Sequence, residues 1–156
     1  MRKLLNHRSD RRRRGSRLAC RWRGAAMIET VVVLFILLVL TFGTVEFGYF
    51  FFVKHSLQGA AREGARAAIV PSADNNAVVK AVVDSLHLAG LNSSSLTLDS
   101  RYTLKLTPAN VATAPQGSPV TVELSANWVS YGVRPLGDLL IKSDKIVKGT
   151  TTMRKE

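Results

Sequence analysis

The sequence predicts an α+β protein, in which a long N-terminal transmembrane helix continues into a small head with one helix and an antiparallel sheet of about three strands. Three observations predict it. An apolar run extends from Ala25 to Val53 and contains only two charged residues, Glu29 and Glu46. Nothing between Ala25 and Val70 forces a helix to break, because the first proline of the chain is Pro71. Beyond Pro71, one helical stripe is followed by strict alternation of apolar and polar residues.

The first element is a basic leader. Residues 1–24 hold Lys3 and nine arginines against Asp10, a local charge of +9 out of +11 for the chain, so the remainder is close to neutral. Arg11, Arg12, Arg13, Arg14, Arg17, Arg21 and Arg23 come directly before the apolar run. There the positive-inside rule retains residues 1–24 in the cytoplasm and sends the C-terminal part across the membrane. Topology accounts for these arginines better than phosphate neutralisation does, and nucleic acid is not an expected partner. Cys20, the single cysteine, can form neither an intrachain disulfide nor a cysteine metal cluster. The segment before it is arginine-rich, unlike the apolar stretch that precedes a lipoprotein acceptor.

The second element is the membrane segment. Thr30 to Val45 is a 16-residue stretch of mostly Val, Leu, Ile and Phe. Extended to Val53, it exceeds the roughly 20 residues that cross a bilayer as helix. Phe47, Tyr49, Phe50, Phe51 and Phe52 gather as an interfacial belt, and Lys54 and His55 mark the far end. A removable signal peptide would need a shorter apolar core followed by a small-residue cleavage site, and Phe47–Val53 offers none. The small residues Gly24, Ala25 and Ala26 come before the core instead. Glu29 lies in the first turn of this segment, where a charge near the bilayer centre would cost about 2.5–3.5 kcal/mol and less near the interface. Glu46 belongs either at the far interface or in a contact between subunits. The expected organisation is a cytoplasmic leader at 1–24, a transmembrane helix at 25–53, its continuation at 54–70 and an extracytoplasmic head at 71–156.

In the continuation, Glu63 and Arg66 can pair at i,i+3. Ala60 with Gly64, and Ala61 with Ala65, set small residues one turn apart, which either lets a helix approach closely or reflects plain helix propensity. In the head, Ser72, Asp74 or Asn75 can cap a helix whose stripe is Val78, Val79, Val82, Val83 and Leu86, stopped near Gly90. Leu96, Leu98, Tyr102, Leu104 and Leu106 alternate with polar residues as one strand, and Val120, Val122, Leu124, Ala126 and Trp128 as a second. A weaker pattern around Ile141–Met153 supplies a third. No catalytic constellation is visible. His7, His55 and His87 fall in separate regions without metal-ligand spacing, no G-x-S-x-G elbow occurs, and "GAAREGAR" follows no strand. An enzyme is not expected, and neither is a cofactor or metal.

A basic leader ending in Gly24, then small residues, a Glu five positions after that glycine and an apolar helix resembles the N-terminal signature of type IV pilins and pseudopilins. With "VEFG" at Val45–Gly48 and "AAREGAR" at Ala60–Arg66, residues 23–70 resemble the TadE-like family of the tight-adherence (Flp) pilus system. The resemblance implies a minor pilin or pseudopilin cut by a prepilin peptidase between Gly24 and Ala25, which would make Glu29 the fifth mature residue. It implies as partners the membrane, the peptidase, other subunits of the apparatus and further copies through the N-terminal helix. Glu29 would pair with the mature amine of a neighbour or of its own chain, or else rest at headgroup depth without a special partner. Glu46 matches the same family pattern. The alternative is an uncleaved single-pass anchor presenting a small binding head.

Overall fold

The computed structural model describes residues 6–131, 137, 141, 142 and 144–156, with the backbone alone over 6–25. Helix α1 runs Asn6–Ala68, so it takes in leader residues ahead of Ala25 and ends just short of Val70. The side chains of Arg11, Arg12, Arg13, Arg14, Arg17, Arg21 and Arg23 lie outside the described residues. The chain divides into two compact units between Phe42 and Gly43.

In the first unit, α1 is exposed on every side: Met27, Ile28, Val31, Leu34, Phe35, Leu38 and Leu40 all lie open, Leu40 at 71%. Contiguous apolar surface on this scale is not stable in water. From Ala26 the helix is long and apolar enough to cross a membrane. Its hydroxyls are satisfied inside the helix, as an apolar solvent requires. Thr30 donates to the Ala26 carbonyl at 2.9 Å and Thr41 to that of Leu37 at 2.8 Å.

The second unit is a two-layer α+β head. Gly43, Glu46, half-buried Phe50, Val53, Leu57, Ala60, Gly64 and Ala68 recur at three- and four-residue steps as the inward stripe of α1. Helix α2, Asn75–Leu88, starts where Asp74 Oδ1 accepts the Ala77 amide at 2.8 Å. It stops in a Schellman turn, with Gly90 at φ +71°, Leu91 N–H bonded to the Leu86 carbonyl and Gly90 N–H to that of His87. Strands β1 (Tyr102–Thr107), β2 (Pro119–Asn127) and β3 (Ile146–Arg154) form an antiparallel sheet in the order β1-β2-β3. Tyr102 faces Ala126, Leu124 stands between Leu104 and Gly149, and Val120 faces Met153. Val120, Val122, Leu124, Ala126 and Val147 are buried in one core with α1 and α2. The opposite face is polar, with a Lys148–Glu123 ion pair at 2.9 Å and Thr121 bonded to Thr152 at 2.8 Å.

The first strand is shorter than its alternation suggests. Leu96 and Leu98 precede β1, and Leu96 is 87% exposed. The buried Asn92 side chain instead donates to the Ser94 and Thr97 carbonyls and accepts the Asp99 amide. Asp99 in turn accepts from the Ser93 amide and hydroxyl. These local bonds satisfy the backbone that a strand ladder would otherwise use. At the other end of the chain, buried Lys155 donates its ammonium to the Val111 carbonyl at 2.6 Å, and Glu156 N–H bonds the Ile69 carbonyl at 3.1 Å.

Candidate functional site

The sequence marks Gly24, Ala25, Glu29 and Glu46 as the residues that matter, and the structure distributes them unevenly. Gly24 and Ala25 lie on α1, where only their backbone is described, and it is helical. Glu29 is exposed between Ile28 and Val31, and it makes no hydrogen bond or ion pair with a described residue. A carboxylate on an apolar helix surface is costly to leave uncompensated in lipid. Ala25 and Glu29 are at i,i+4, so they share one face of the helix.

Glu46 is in the other unit and is 0% exposed. Its stripe neighbours are Gly43 one turn before and Phe50 one turn after. The side chain is covered within its own compact unit. Burial of Glu46 therefore belongs to the head's internal structure, and the structure does not bring Glu29 and Glu46 together.

The small residues of "AAREGAR" have an intrachain use. Ala60, Ala61 and Ala65 are fully buried in the core. A Cβ on Gly64 would stand 2.6 Å from Val82 Cγ2, 3.5 Å from Val78 and 3.4 Å from Val122. Helix α2 and strand β2 thus approach α1 where it lacks side chains. Glu63 and Arg66 do pair, at 3.6 Å, but both are exposed, and such a pair contributes a few tenths of a kcal/mol.

Gln58 and Gly149, which the sequence reading did not single out, and Trp128, which it placed at the end of the second strand although β2 stops at Asn127, organise the same unit. Gln58 presents its amide to β3: Nε2 donates to the Thr150 carbonyl at 2.8 Å, and Oε1 accepts the Thr150 amide at 3.2 Å. Gly149 lets α1 lie on the strand, since a Cβ there would stand 2.6 Å from the Gln58 amide nitrogen and closer to the Leu57 carbonyl. An isolated glycine inside a strand is the available signal for such a close approach. Trp128 heads the 3₁₀ turn Trp128–Tyr131 and is fully buried, with ring centroids 5.2 Å from Phe50, 5.9 Å from Tyr49 and 5.9 Å from Tyr131.

The head's electrostatics follow from these neighbours. Burial pushes the Tyr131 and Tyr102 hydroxyls above the usual phenol range. The Ser93 hydroxyl and amide hold Asp99 below the usual carboxylate range, and hydrogen bonding and charge from Lys148 do the same for Glu123. Among the described residues, no group of three or more His, Cys, Asp or Glu comes together as a metal site.

No curated protein and no solved structure matches the chain. A family model does, over a segment that begins at Gly24, includes Glu29 and Glu46 and ends within the buried stripe of α1, leaving most of the head unmatched. Residues 24–66 of this chain match the family described as TadE-like protein.

Proposed function

We propose that the chain is a minor pilin or pseudopilin of a tight-adherence (Tad, Flp) pilus or secretion apparatus, made as a precursor and cut by a prepilin peptidase between Gly24 and Ala25. The observation that carries this is the TadE-like match, which starts at the glycine of that bond. The proposed organisation is a cytoplasmic leader at 1–24 held inside by Arg11–Arg14, Arg17, Arg21 and Arg23, a membrane segment at 25–53, its continuation at 54–70 and a head outside the cytoplasm at 71–156. The exposed apolar helix supports the membrane placement.

Cutting at Gly24 requires the helical backbone there to open, and glycine is the residue at which that costs least, being about 1 kcal/mol poorer than alanine in a helix. The new amine of Ala25, with a reference pKa near 8, is mostly protonated at neutral pH. It would neutralise Glu29, either one turn along its own helix or on a neighbouring subunit.

N-terminal sequencing of membrane-extracted protein, with and without the peptidase, is expected to find Ala25 first only when the peptidase is active. A Gly24→Leu variant should retain its leader; normal maturation of that variant, or a chain that still begins at Met1 beside active peptidase, would refute the processing step. The helical continuity through Gly24 favours a second outcome, an uncleaved anchor presenting the head, which the same experiment identifies. A Glu29→Ala variant should insert normally but lose subunit cross-links along the N-terminal helix, and unchanged cross-links would exclude the pairing role.

A further inference from the structure

At the base of the head, an open groove of about 700 Å³ is lined by Phe47 and Phe50 of α1 and by Lys142, Asp144, Lys145 and Ile146 of the segment leading into β3. We propose that this groove binds the headgroup of an anionic glycerophospholipid, its phosphate between Lys142 and Lys145 and its glycerol and upper acyl chain along the two phenylalanines. The inference rests on the membrane placement of α1 proposed above.

Four observations carry it. The lining residues include two lysines, Lys142 and Lys145, against one acid, Asp144, a net charge complementary to an anionic headgroup. Lys142 and Lys145 are both exposed, and neither ammonium is bonded to a described residue. Backbone bonds hold both lysines in place: Lys145 N–H bonds the Lys142 carbonyl at 3.1 Å, and the Lys145 carbonyl accepts the backbone amide of buried Trp128 at 2.8 Å. Exposed Phe51, four residues after Phe47 on the same face of α1, extends the apolar wall as a surface suited to an acyl chain.

The position along the chain also fits. Phe47 and Phe50 belong to the aromatic belt at the far end of the proposed 25–53 membrane segment, at the depth of glycerol and phosphate. Exposed Lys54, four residues after Phe50 and seven after Phe47, adds a third cation to that face of α1. An acidic protein segment would satisfy the lysines but would leave the apolar wall facing lipid, so the lipid is the better complement.

The test is native mass spectrometry of the full chain, purified in detergent and offered equimolar phosphatidylglycerol and phosphatidylcholine. Phosphatidylglycerol should be retained preferentially, with the preference falling about fivefold for each of Lys142→Gln and Lys145→Gln. Lys80→Gln on α2, outside the groove, should leave the preference unchanged, and added inorganic phosphate should not displace the lipid. Equal retention of both lipids, an equal loss in the Lys80 variant, or displacement by inorganic phosphate would each overturn the assignment. Carbonate washing of membranes separates the two levels: a chain that washes out refutes the membrane placement, whereas one that stays but shows no lipid preference refutes the groove alone.

Discussion

Gly149→Val is expected to destabilise the head by about 3 kcal/mol or more, at the upper end of what overpacking costs. The added Cβ would meet backbone atoms of Leu57 and Gln58, which cannot change rotamer to make room. Relief requires α1 and β3 to separate, and separation breaks the bonds of Gln58 to Thr150. Intrinsic preference points the other way, since valine is a better strand former than glycine by up to about 1 kcal/mol. Thermal unfolding of the full chain in detergent measures the difference. A matched Gly59→Ala variant should be neutral or up to about 1 kcal/mol stabilising, because nothing lies within 4 Å of its added Cβ. A Gly149 variant as stable as the parent would mean that the helix and strand are not in contact there.

Trp128→Ala should be comparably severe, about 3–5 kcal/mol, because it empties a fully buried site where Tyr49, Phe50 and Tyr131 converge. Trp128→Phe should be much milder. The indole N–H makes no hydrogen bond to a described residue, so its removal eliminates an uncompensated polar group and offsets part of the lost volume. Near-ultraviolet circular dichroism and melting of the two variants distinguish cavity formation from loss of a polar contact. Equal destabilisation by Ala and Phe would assign the indole nitrogen a role that the packing does not.

The parts of the fold that were legible in the sequence are those whose pattern is written in large apolar side chains. The stripe Val78, Val82, Val83 and Leu86 gave α2, and alternation from Val120 to Ala126 gave β2. The buried stripe of α1 was only partly legible: Ala60, Ala61, Gly64 and Ala65 suggested a close approach, but Val53 and Leu57 merged with the apolar membrane run, and Gly43, Glu46 and Ala68 carry no hydropathic mark of a core. Glycine and alanine are buried here for what they leave vacant. Leu96 and Leu98 misled for the converse reason: their spacing is that of a strand, but Asn92 and Asp99 bond the local backbone first. At the candidate site, the order of the arginines, Gly24 and Glu29 along the chain is what suggests a processed leader, and their role remains a proposal. The burial of Glu46 could not be read that way, since it depends on how the head packs onto the helix that carries it.

The contact of Gln58 with Thr150 spans 92 positions and joins the helix made first to the strand made last among the head's elements. During synthesis, the small-residue surface of α1 therefore emerges long before the strand that closes over it. Contacts of such separation are slow to form, because much of the chain must be ordered before they contribute. The head cannot complete its core before β3, which contributes buried Val147, is available. Until β3 is in place, the surface of α1 at Leu57 and Gln58 that it covers at Gly149 stays open to solvent.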